Sequence, residues 1–421
     1  MAGALHWGRR FMDAVKQPIS DSLASHTSSS GSERLHALDG LRAAAMFLGV
    51  ALHAAIPYME NWSPWCLRDG SPNAAFDIFV VVVHGFRMQL FFFLSGYFAR
   101  LVFLRRGAGG FLKHRGRRIG IPFAIGLVTL VPVILVIWVW GQSVAPDPLI
   151  REMMEDPTSV WQYPTFHLWF LECLLVFCAV ATLWGYFEKR LDAAGKLAAL
   201  DRCFGRVVRS WWKPFALSLL VVPFLIDGPI YGEADAVGES LLMRPEGLLY
   251  QGAFFAFGWW LHRDASWMKE LQRFQGFYFL CAIPALLVFI WGFSVVELGD
   301  ANVESYLTVG GLGLLGSCVY AWAMIFGLTG FFLQRCAGHS CRARYFADSS
   351  YWFYLAHLPL VCGLQILVHD WPVSVFLKFG LVMVVATAWL LATYERLVRY
   401  SFIGSALNGP RKRETRSMDS E

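Results

Sequence analysis

Residues 119–140 read Ile-Gly-Ile-Pro-Phe-Ala-Ile-Gly-Leu-Val-Thr-Leu-Val-Pro-Val-Ile-Leu-Val-Ile-Trp-Val-Trp, without one charged side chain. A helix needs about 20 such residues to cross the hydrocarbon core of a bilayer, so this stretch is read as a membrane span. Just before it stand Lys113-His114-Arg115-Gly116-Arg117-Arg118, a basic cluster of the kind retained on the cytoplasmic side during insertion. Similar apolar stretches lie at 39–58, 76–103, 164–187, 212–226, 247–263, 276–296, 306–334, 345–368 and 372–400, with Pro214 and Pro223 making 212–226 the weakest. The expectation is an all-α polytopic membrane protein of about ten transmembrane helices with both termini in the cytoplasm.

Composition agrees, since 56% of the 421 residues are hydrophobic, 16% are charged and the mean hydropathy is +0.47. A soluble fold has nowhere to put so much apolar surface. Of the 36 Lys and Arg, only Arg68, Arg151 and Arg244 fall in outer loops on this topology, and Arg42, Arg87 and Lys378 fall within spans. The others alternate onto the cytoplasmic side, as the insertion rule requires. Anionic lipid headgroups account for that basic face, and no nucleic-acid partner is called for.

Three parts follow from this reading: a disordered cytoplasmic leader at 1–38, a membrane domain at 39–400 and a basic cytoplasmic tail at 401–421. The polar run Ser25 to Ser32 and the lack of an apolar core argue against a cleaved signal peptide in the leader. Cys66 alone among nine cysteines lies in a clear outer loop, so no disulfide is expected there. Cys336, His339 and Cys341 lack a second ligand pair, and no metal is expected. Nothing in the sequence specifies an oligomeric state.

No loop is long enough for a soluble catalytic domain, so ionisable groups inside the spans carry the functional argument. In the first span, Arg42 and His53 are eleven residues apart, about three helical turns and roughly 16 Å on one face. Ala43, Ala44 and Ala45 lie between them and permit close helix approach or an open channel. In the second, His84 and Arg87 share a face, and Ser95-Gly96 leaves room for a helix or a ligand to come close. The ninth span carries Asp348 near its start and His357-Leu358-Pro359 beyond. Topology sets His53, His84 and His357 at comparable depth, which points to a shared polar cavity.

Other groups keep two readings open. His167 and Trp169, with Glu172 just below, are either interfacial anchors at the outer surface or direct participants. Glu395 is either a partner of Arg396 or Arg399 or a participant. Arg115 and Arg118, in the basic loop from Arg100 to Arg118, suit either lipid headgroups or a phosphorylated ligand, since guanidinium pairs bidentately with phosphate.

At these residues the chain resembles the acyltransferase 3 family of membrane acyltransferases, and within it the glucan biosynthesis branch. The matching motifs are Asp39-Gly40-Leu41-Arg42 with His53, Phe86-Arg87-Met88-Gln89 leading into Leu94-Ser95-Gly96-Tyr97, Arg118-Ile119-Gly120-Ile121-Pro122, His167-Leu168-Trp169-Phe170-Leu171, Tyr354-Leu355-Ala356-His357-Leu358-Pro359-Leu360, and Tyr394-Glu395. They run in order through most of the chain.

The resemblance implies transfer of an acyl group from cytoplasmic acyl-CoA to an outer carbohydrate, and for this branch a succinyl group from succinyl-CoA to glucose hydroxyls of periplasmic glucans. On that basis His53 is expected to act as general base or, alternatively, as a transient acyl carrier. His84 and His357 are expected to orient groups or donate to the oxyanion. Arg42, Arg115, Arg118 and Ser95 belong to the donor site, and Arg87 to the carboxylate of a dicarboxylic acyl chain. His167, Trp169 and Glu172 belong to the acceptor site. Two rival readings stand: O-acetyl transfer to another envelope polysaccharide, and proton-coupled export, since intramembrane His and Arg also serve relays.

Overall fold

The structure, a computed structural model, describes residues 36–61, 65–146, 150, 165–226, 244–297, 306–336, 338 and 340–409. The leader up to residue 35, the tail beyond 409 and His339 lie outside them. Among the described residues the chain is helical with no strand, as an apolar environment demands, because only a helix satisfies every backbone donor and acceptor within one segment.

The helices are α1 (His36–Tyr58), α2 (Ala74–Arg115), α3 (Ile121–Val144), α4 (Trp169–Ala193), α5 (Ala198–Arg209), α6 (Lys213–Val221), α7 (Pro245–Leu261), α8 (Ala265–Arg273), α9 (Gln275–Glu297), α10 (Gly311–Arg335), α11 (Cys341–Val368), α12 (Val375–Thr393) and α13 (Phe402–Asn408). Among the described residues, seven helical runs are long and apolar enough to cross a membrane. One of them, Ala74–Val144, joins two expected spans through a five-residue π turn at Gly116–Gly120. The expected stretch 212–226 forms only a short apolar helix, Lys213–Leu225, and α7 has 17 residues.

The basic segment expected as a loop after Arg100 is helical instead. Its one break is Gly107, at φ +67°, a left-handed conformation that costs glycine little. Lys113, His114 and Arg115 thus sit on a helical run that continues through the π turn into α3.

The most buried spanning helix is α10, while α9 and α12 are largely exposed. Its Trp322 stacks on Phe254 of α7 at 4.2 Å between centroids, and Phe326 follows at 5.4 Å. At the edge, α3 exposes Val128 and Val136 and α12 exposes Val384. Apolar side chains facing outward on peripheral helices are what a lipid-facing surface requires.

Helices α2 and α7 cross backbone to backbone. A methyl at Gly96 would run into the Phe255 carbonyl oxygen, and one at Gly258 into that of Phe93. The gap noted at Ser95-Gly96 is therefore filled by α7. Nearby, Arg100 of α2 donates to both carboxylate oxygens of Glu188 on α4 at 2.7 and 2.8 Å. Glu188 also accepts from Trp259 at 3.2 Å and pairs with Arg263, which reaches Asp192 and Asp201, each at 2.7 Å. This network locks α2, α4, α5 and the end of α7 together, and its acids were not singled out from the sequence.

Candidate active site

Two prolines shape the centre of the molecule. In a helix the N–H of residue i donates to the carbonyl of residue i−4, and proline has no N–H to give. Pro57 therefore frees the carbonyl of His53 in α1, and Pro359 frees that of Leu355 in α11. Both freed oxygens are taken by side chains: Gln365 Nε2 donates to His53 O at 2.9 Å, and His167 Nε2 lies 3.3 Å from Leu355 O. A buried carbonyl must find a donor, and here the donors tie distant helices to the site.

Three imidazoles meet at this level. The rings of His53 and His357 lie 5.1 Å apart and those of His167 and His357 lie 5.3 Å apart. His357 Nδ1 sits 2.8 Å from Phe353 O and 2.9 Å from Tyr354 O. A carbonyl oxygen only accepts, so Nδ1 bears the proton and the neutral ring keeps its lone pair on Nε2. The same reasoning puts the His167 proton on Nε2, and its Nδ1 is buried without a partner. His53 Nδ1 is likewise buried and unpartnered, although the residue is half-buried as a whole.

His167 is fixed twice more, by Tyr354, whose hydroxyl donates to its carbonyl at 2.7 Å, and by the turn that carries it. Phe166 is the one non-glycine residue with positive φ among the described residues, at +46°. Such strain persists only where its surroundings impose it and clusters at functional sites.

Arg87 and His84 complete the centre. The Arg87 guanidinium lies against α1 at Gly49, where a methyl would collide with Nη1. It is within electrostatic reach of His53, His84 and His357. His84 is half-buried, with Nε2 unpartnered. Glu172 also has a buried, unpartnered oxygen, Oε2. Trp169 is buried against Phe92 at 6.1 Å and belongs to the packing of α4 on α2. Ser95 is half-buried on α2, about 12 Å along the axis from Arg87.

The other basic residues gather at the opposite end of α1. Arg42 pairs with Asp39 at 3.2 Å and donates to Ala347 O at 3.4 Å. It lies within electrostatic reach of Arg115 and Arg118. Arg115 sits over Phe111 at 5.3 Å with Nε and Nη2 buried and unpartnered. Tyr351 of α11 donates to the Arg118 carbonyl at 2.6 Å. Buried guanidinium hydrogens without an acceptor fit a phosphate. Glu395, by contrast, pairs with Arg399 at 2.8 Å. No group of side chains able to hold a metal ion occurs among the described residues.

A family model described as an acyltransferase domain, acyltransferase 3, matches residues 35–395 and so contains both ends of this arrangement. The chain belongs to the acyltransferase 3 family. It is 28% identical to the "Glucans biosynthesis protein C" of Salmonella typhimurium over 91% of this chain and 97% of that protein. Proteins of the same name from Salmonella paratyphi A and Salmonella typhi are 27% identical over the same shares. No solved structure matches the chain. As an acyltransferase 3 protein it carries its buried histidines within membrane-type helices rather than in a soluble domain.

Two residues at the centre had no place in the sequence reading, Trp65 and Gln365. The indole of Trp65 stacks on His53 at 5.5 Å and 17° between planes, and its Nε1 donates to Gln365 Oε1 at 2.8 Å. The pair His53 with Pro57 was the one available signal, and only for Gln365, because a proline four residues on frees a helical carbonyl that another side chain must then meet.

Proposed function

We propose that this acyltransferase moves a succinyl group from cytoplasmic succinyl-CoA to glucose hydroxyls of periplasmic glucans, across the inner membrane, with both chain termini cytoplasmic. The observation that carries the reading is the placement along α1 of two sites: the Arg42, Arg115 and Arg118 cluster, and roughly 16 Å away the meeting of His53, His357 and His167. The first suits the phosphates of a coenzyme A thioester and the second suits activation of a hydroxyl. Relatives named for glucan biosynthesis favour a glucan acceptor.

In this reading His53 takes the proton of a sugar hydroxyl as its oxygen attacks the thioester carbonyl. The C–S bond breaks, an ester C–O bond forms and the proton passes to the departing thiolate. His357 keeps the ring of His53 in place, and Arg87 stands where the free carboxylate of a succinyl chain needs a cation. His167 braces His357 through the α11 backbone.

The test is mass analysis of periplasmic glucans from a strain lacking this protein, with purified protein incubated in parallel with succinyl-CoA and glucan. Loss of succinyl esters in the strain and glucan-dependent thiol release in the tube support the proposal. Loss of acetyl esters from another polysaccharide would replace the substrate, and glucan export without thiol release would sink the reaction.

A further inference from the structure

Trp65 and Gln365 do more than pack against His53. Trp65 lies past the end of α1, on the side of His53 away from Arg42, and is only 6% exposed. Its segment is held at several points. Gln142 Nε2 donates to Trp65 O at 3.3 Å and Cys66 O at 3.0 Å, and Trp138 packs edge-on to the indole at 5.8 Å. Asp77 accepts from the backbone of Glu60 and Asn61, each at 2.8 Å. The buried Asp69 and Lys378 pair at 2.8 Å just beyond. Gln365 connects this segment to the catalytic helix: one amide accepts from Trp65 and donates to the carbonyls of His53 and, at 3.2 Å, Ala54.

We infer that Trp65, oriented by Gln365, covers the face of His53 on the acceptor side and so sets how an acyl thioester is divided between a sugar hydroxyl and water. The inference rests on the acyl-transfer reading above. In both reactions the C–S bond breaks, a C–O bond forms and the hydroxyl proton reaches the thiolate through His53; only the nucleophile differs, and water yields the free acid. An indole lying parallel to the imidazole covers that face and bars water from it. Trp65 and Gln365 are positioning residues and transfer no proton themselves.

The experiment uses the full chain in lipid vesicles with succinyl-CoA and a β-glucan as probes. It reads thiol release without glucan, and ester formed per thiol with glucan. In Trp65→Ala, glucan-independent thiol release rises roughly tenfold and ester per thiol falls, while the KM for succinyl-CoA stays constant. Trp65→Phe keeps a ring but loses the Nε1 donor, and Gln365→Leu loses the bonds to Trp65, His53 and Ala54 together; each moves in the same direction by less. These two carry the test if Trp65→Ala fails to insert. An unchanged ester-per-thiol ratio in Trp65→Phe and Gln365→Leu overturns the inference while leaving acyl transfer standing. A wild type that releases no thiol under any condition overturns both.

Discussion

His357 presents its ring 5.1 Å from that of His53 with its Nδ1–H already committed to the carbonyls of Phe353 and Tyr354. Its Nε2 therefore keeps the lone pair, and two helices far apart in sequence, α1 and α11, bring their imidazoles together. The consequences can be measured.

Replacing His53 by Ala removes the proposed base. We expect kcat for glucan acylation to fall by about 10²–10⁴, with membrane insertion and the thermal transition retained. Normal acylation by this variant removes His53 from the mechanism.

His357→Ala should lower kcat by a smaller factor and leave the KM for the donor unchanged, because in the proposed mechanism His357 positions His53 rather than binding the coenzyme. Groups that work as a unit are non-additive. The double variant His53→Ala/His357→Ala is therefore expected to be no slower than His53→Ala alone, and a multiplicative loss would show that the two act separately.

Arg115→Ala addresses the other end of α1. Its unpartnered buried donors are expected to hold phosphate, so the KM for succinyl-CoA should rise about tenfold or more, as loss of a charge-assisted bond of roughly 1.5–3 kcal/mol implies. The KM for the glucan should not move. Equal effects on both would point to a general distortion.

Glu188→Gln tests the network between α2, α4 and α7. Its carboxylate is buried and faces both Arg100 and Arg263, and breaking a buried pair strands the remaining charge at a cost of about 3–5 kcal/mol. Arg399→Ala, which breaks the more exposed pair with Glu395, should cost less than about 1 kcal/mol. Thermal stability in detergent compares the two, and equal losses would contradict the burial argument.

Gly96→Leu places a side chain where the Phe255 carbonyl lies. Overpacking of side chains costs about 1–3 kcal/mol, and a backbone contact cannot relax by a rotamer change, so loss of folded protein is expected. Retained stability would mean that α2 and α7 separate more easily than their close crossing implies.

Hydropathy is a local property. The apolar run at 119–140, the intramembrane placement of Arg42, His53, His84, Arg87 and His357, and the family motifs were all legible in the sequence, because each depends only on residues near one another in the chain. Which of those residues meet depends on how helices cross. The structure brings His53 to His357, adds His167, which the sequence left as either an anchor or a participant, and gives the space beside Ser95-Gly96 to α7. Trp65 and Gln365 carried no periodic or charge signal. Gln365 takes the His53 carbonyl that Pro57 leaves unpaired and in turn receives the Trp65 indole N–H, and which donor satisfies a buried carbonyl is decided only when distant helices are packed together.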